Sequence, residues 1–205
     1  VAKTKLPADA VVMLTWSNWR TEPRSNRYHY ASRFARHLPV YFVQTDAPGD
    51  TILVEPTELA NVQLIRLPVQ TGLDLAASTS EAIASVEVRQ PIYWVYNAYF
   101  LDYLRTAHSA WTVYHATEDY FSPSFYEDTD GGIGELLKQM LDYCDLVVSV
   151  SDGVTASYVH RGGYSGEVLT LPNGVDFSFW SAVPSAKPDS KRPVALYQGG
   201  INFRL

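Results

Sequence analysis

Cysteine is almost missing from this chain: Cys144 is the only one in 205 residues. A lone cysteine closes no internal disulfide, and its place in an apolar helical pattern reads as a buried free thiol, which suits a reducing, cytoplasmic setting. Excess positive charge is missing too. Sixteen Lys and Arg stand against 22 Asp and Glu, for a net charge of -6, so the basic footprint of a nucleic-acid binder is not there. No apolar run approaches the roughly 18–20 residues of a membrane span. The opening "VAKTKLPADAVVML" lacks the pattern of a signal peptide; it begins at Val1 rather than at methionine, which reads as a trimmed start. Glycine is absent from "TWSNWRTEPRSNR" (15–27), where a dinucleotide site would need G-x-G-x-x-G, and no P-loop occurs. The five histidines show no i, i+3 or i+4 pairing, so no metal is expected.

What is present belongs to a globular α/β protein. The composition is 46% hydrophobic and 19% charged, ample for a core at this length. "AVVMLTW" (10–16) is a continuous apolar run, as in a strand buried on both faces. Tyr30, Phe34 and Leu38 mark a helical stripe within 24–38. Strands follow at 40–45, 51–56 and 62–68, and residues 69–90 are ambiguous, with a helix capped by Ser78 or Ser80 as one reading. Beyond them strands at 92–97, 111–117, 145–150 and 167–172 alternate with helices at 98–107, 133–144 and from Asp152, the last capped by Ser151 and ended by Gly162-Gly163. Strands alternating with helices of this length predict a doubly wound, mainly parallel sheet, Rossmann-like in kind. The boundaries expected are a domain over 1–180, a Pro- and Ser-rich linker over 181–192, and a further strand and glycine turn over 193–205.

Open parallel sheets bind ligands beyond the carboxyl ends of their strands. The residues placed there are Trp16, Asn18 and Arg20 after the first strand, Asn97, then His115, Glu118 and Asp119, and finally Asn173. The abundance of aromatics, 14 Tyr and 5 Trp, favours a cleft that stacks on flat hydroxylated ligands such as sugars. His115 reads two ways: an inert strand-end imidazole bonded to backbone, or a rim group able to contact or deprotonate a hydroxyl. Glu118 and Asp119 are either solvated loop acids or a base raised by a neighbouring charge. Arg20, Arg24 and Arg27 oppose the dipole of the helix they precede, which favours an anionic ligand.

At "LPNGVDFSFW" (171–180) the chain resembles the GT-B-fold glycosyltransferases, in particular the retaining group of bacterial polysaccharide transferases. "DLVVSVSDGVTASYV", "VYHATEDY", "EPRSNRYHYASRFARHLPVYFV" and "ALYQGGINFRL" are similar to further segments of that family, in family order. The resemblance implies the N-terminal half of a two-domain fold, inactive or nearly so alone, with the C-terminal domain missing. It implies transfer from a nucleotide-diphosphate sugar, with no other cofactor, to a hydroxyl of a glycan or lipid-linked acceptor, and with the latter a peripheral contact at the inner membrane face. Trp16, Asn18, Arg20, Arg24, Arg27 and Asn97 are then acceptor-side residues. His115 lies beside the donor sugar, with Glu118 or Asp119 the base if the reaction inverts. Asn173, Gly199 and Gly200 meet the donor, and Arg204 its phosphate. A non-catalytic sugar- or nucleotide-binding module and half of a sugar-nucleotide epimerase stand as alternatives.

Overall fold

The structure is a computed structural model that describes residues 8–22, 24–68, 74–123, 132–175 and 177–182. The chain divides into two units, Val1–Asn173 and Gly174–Leu205. The second contributes one described helix, Phe177–Ser181. The expected strand at its end, with Gly199, Gly200 and Arg204, and most of the expected linker lie outside the described residues.

The first unit is built on one eight-stranded sheet. Its strands are β1 (Ala10–Leu14), β2 (Val40–Ala47), β3 (Leu53–Pro56), β4 (Val62–Pro68), β5 (Pro91–Val95), β6 (Trp111–Ala116), β7 (Leu146–Ser149) and β8 (Glu167–Thr170), in the order β3-β4-β2-β1-β5-β6-β7-β8. Every pairing is parallel except that of β3 with β4. The fold class expected from the sequence is therefore the one observed. All five residues of β1 are buried, because parallel partners flank it and helices cover both faces.

The period-2 alternation of the strand sorts its residues between two cores. Val12 and Leu14 join one with α2 (Leu75–Ser85), α3 (Leu101–Leu104), α4 (Gly132–Leu141) and Tyr158 of α5 (Asp152–His160). Val11 and Met13 join the other, against Ala31, Tyr30 and Phe34 of α1 (Asn26–Phe34). The chain leaves β1 toward β2 on one side and resumes at β5 on the other. The crevice between the carboxyl ends of β1 and β5 is thus the topological switch point, where sheets of this kind take their ligands.

Local chemistry sets the helix ends. Ser151 caps α5 as expected, accepting from the Val154 N–H at 3.2 Å, and Gly163 follows it in the left-handed region at φ 73°. The ambiguous stretch carries the helix Leu75–Ser85, but its cap is Asp74, whose carboxylate accepts from the Ala77 N–H at 2.9 Å; Ser78 and Ser80 both lie inside the helix. The expected helix over 98–107 is shorter, a 3-10 turn over Ala98–Phe100 continuing into α3.

Candidate functional site

The loop after β1 is held by a closed ring of polar contacts. The Asn18 side-chain amide donates to Asp46 (2.7 Å), and Arg66 donates to the other Asp46 oxygen (2.8 Å) and to Glu55 (3.1 Å). Glu55 also receives Arg20 (2.6 Å), whose backbone N–H returns to the Asn18 side-chain Oδ1 (3.0 Å). Burial acts to raise the Asp46 pKa, but the bonds from Arg66, Gln44 and Asn18 and the Arg66 charge outweigh it and hold the carboxyl below its ordinary value. Replacing Arg66 with Met leaves two partly buried carboxylates facing each other. The expected cost is about 2 kcal/mol, measured as a shift in the urea midpoint.

Beneath this loop lies a cleft of about 300 Å³ lined by Asn18, Arg20, Arg24, Arg27, Trp19, Glu22, Tyr28 and Glu58, among others. Four of the six expected acceptor-side residues therefore meet in one place. Their charges are not free, however. Arg20 is paired with Glu55, Arg27 with Glu22 at 3.1 Å, and Arg24 lies over the Tyr28 ring at 4.7 Å. The Trp19 indole donates to Glu58 (3.0 Å), a bond that lowers the Glu58 pKa. Two of the three guanidinium groups are thus already balanced by carboxylates, and the third lies on an aromatic face.

The other two, Trp16 and Asn97, come together at the switch point. The Asn97 side-chain Oδ1 accepts from the Tyr99 N–H (2.9 Å) and caps the turn, and the Tyr99 ring lies edge-on to Trp16 with centroids 5.3 Å apart. Both rings are about half exposed, 52% and 50%. Tyr99 was hidden in the sequence by its helical setting.

His115 is not on the rim. It is 1% exposed, because its position on β6 turns the ring toward α1, where Tyr30, Trp94 and Tyr96 enclose it with centroids at 4.7, 5.5 and 5.0 Å. Burial, with the Arg27 charge nearby, lowers its pKa to about 4, so the ring is neutral at physiological pH. Asp119 is also engaged. One carboxylate oxygen accepts from the Phe121 N–H (3.2 Å) and from the Ser157 hydroxyl, which clasps the loop after β6 to α5. The Glu118 backbone carbonyl accepts from Tyr158 (3.3 Å), while the residue itself is exposed. Asn173 is exposed at the end of the first unit. Among the described residues no three His, Cys, Asp or Glu side chains converge as metal ligands do.

No protein-family model matches the chain, and no curated protein matches its sequence. Solved structures do match. A trehalose-6-phosphate synthase from E. coli bound with UDP-2-fluoro glucose aligns at a TM-score of 0.56 and 10% identity, over 86% of this chain and 52% of that one. A sucrose-phosphate synthase from Thermosynechococcus elongatus aligns at 0.61 and 13% identity, over 83% and 49%. The chain thus spans about half the length of these synthases. A shorter solved form of the latter is covered to 93%, at 0.56 and 13% identity. These structural neighbours are GT-B glycosyltransferases, and the chain has the fold of one half of such an enzyme. At this identity the likeness is one of fold.

Proposed function

We propose that this chain is the acceptor-binding half of a glycosyltransferase that moves a sugar from a nucleotide-diphosphate sugar to a hydroxyl of a glycan or lipid-linked acceptor. The observation that carries this reading is the exposed Trp16–Tyr99 pair at the switch point. Paired aromatic rings held at the mouth of a parallel sheet suit the C–H face of a sugar ring, with polar groups close by to orient its hydroxyls. The matched synthases, about twice as long, support a second, donor-binding half, to which we assign Gly199, Gly200 and Arg204, with Asn173 of the first unit as a further donor contact. In the reaction the acceptor oxygen forms a bond to the anomeric carbon as the bond from that carbon to the diphosphate breaks. The acceptor proton passes to the departing diphosphate, so the retaining course needs no protein base. No described helix is long and apolar enough to cross a membrane.

The test is transfer from UDP-glucose by the protein of the whole reading frame, followed across a panel of sugar acceptors. Trp16→Ala is expected to raise the acceptor KM about tenfold, the equivalent of about 1.4 kcal/mol, with the donor KM unchanged. An unaltered acceptor KM would remove Trp16 from the site, and a protein that converts no nucleotide sugar would remove the transferase reading.

A further inference from the structure

Three polar layers lead inward from the cleft. Arg27 lines the cleft, and its guanidinium lies over the Tyr96 ring at 4.9 Å. Tyr96 in turn packs on His115 at 5.0 Å. At the inner end the Nε2 atom of His115 is buried with no hydrogen-bond partner among the described residues. A buried imidazole nitrogen left this way costs about 1–3 kcal/mol, so its chemical state matters.

The other ring nitrogen settles that state. The Trp94 indole N–H donates to Nδ1 at 3.2 Å, and an indole nitrogen can only donate. Nδ1 must therefore carry its lone pair. A neutral imidazole with a bare Nδ1 holds its proton on Nε2. The imidazolium form is opposed on every side: it would set an Nδ1–H against the indole N–H, within the field of Arg27 and in a nearly dry site. The remaining titratable neighbours are the phenols of Tyr30, on α1, and Tyr96, after β5, both pushed upward by burial and so uncharged. Glu22, whose charge is felt at Tyr96, is paired with Arg27.

We propose that Trp94 is a positioning residue: it fixes His115 as the Nε2–H tautomer, so that the buried ring carries a hydrogen-bond donor and no base. Neither ring nitrogen has a lone pair to spare, because Nδ1 gives its own to Trp94 and Nε2 is protonated. His115 therefore cannot take the acceptor proton in a transferase reaction. The substrate side of this inference rests on the transferase reading; the tautomer and the role of Trp94 do not.

The experiment is long-range proton–nitrogen correlation NMR on the chain with nitrogen-15 in its histidines and tryptophans, recorded without donor or acceptor. The expected spectrum shows His115 protonated at Nε2 and bare at Nδ1, unchanged from about pH 8 to about pH 5, with a nitrogen–nitrogen coupling through the hydrogen bond to Trp94 Nε1. Trp94→Phe, which keeps a ring in place but removes the N–H, is expected to give mixed tautomers and titration at a higher pH. A wild-type ring protonated at Nδ1, a missing coupling, or a variant with the wild-type tautomer each overturns the proposal. Should the variant not fold, the wild-type coupling and tautomer decide alone. Failure of sugar transfer leaves these spectra untouched, so the two readings fall separately.

Discussion

Lowering the pH from about 6.5 to about 4 is expected to remove about 3 kcal/mol of folding stability through His115 alone. The histidine pKa is 6.5 unperturbed and about 4 in the folded chain. Between those values the unfolded chain binds one proton that the folded chain refuses, so acid favours unfolding. The contribution is complete above the unfolded pKa and is lost as pH falls toward the folded one. His115→Phe keeps a flat ring in the aromatic pocket but has nothing to protonate. It also leaves the Trp94 N–H without its acceptor, so the variant is less stable at pH 7, and the gap to wild type closes as pH falls. Urea titrations at several pH values measure this as the proton uptake on unfolding, which should drop by about one near pH 5. Equal uptake in both proteins would mean that His115 is accessible and ordinary. Asp46, also depressed, acts lower on the scale: its contribution is present above the unfolded carboxylate pKa and is lost as pH falls through its folded value, below the histidine window.

Gly162→Ala is expected to cost about 3 kcal/mol, a fall in Tm of about 6–12 °C for a domain of this size. A methyl group built there meets the Tyr158 carbonyl oxygen and Phe121 Cε2, each at 2.6 Å. The carbonyl belongs to the last turn of α5, and its neighbour Phe121 is buried, so neither can step aside cheaply. Gly163→Ala is the control. Nothing lies within 4 Å of its added carbon, but φ is +73°, and the cost there is the left-handed strain alone, about 1 kcal/mol. Differential scanning calorimetry on both variants separates steric from torsional effects. A smaller loss at Gly162 than at Gly163 would contradict the packing described for the loop that carries Asp119.

Much of the architecture was legible because it depends on short-range pattern. The uninterrupted apolar run of β1 named a central strand, and the Ser151 cap and the glycine pair bracketed α5. Where several residues could do the same local work, the sequence did not choose. Asp74, Ser78 and Ser80 can all cap a helix, and the choice fell to the residue preceding Leu75. The site was legible in part. Strand length put His115 near the carboxyl end of β6, but its burial follows from Tyr30, 85 positions away on α1, whose ring meets the imidazole. Arg20 is likewise satisfied by Glu55 from β3, 35 residues on. Trp94 read as one more aromatic in a strand, since only the folded geometry brings its N–H to an imidazole. Pairings between distant segments leave no periodicity to find.

The polar ring of Asn18, Asp46, Arg66, Glu55 and Arg20 has a mechanical property that a linear set of bonds lacks. A chain of contacts fails at its weakest link, whereas a circuit cut once is still a chain, fastened at both ends to β2, β3 and β4. The loop that carries the cleft is therefore braced like a truss with one redundant member. Single lesions at its exposed joint, Arg20, should be absorbed, and only a second cut elsewhere lets the loop swing.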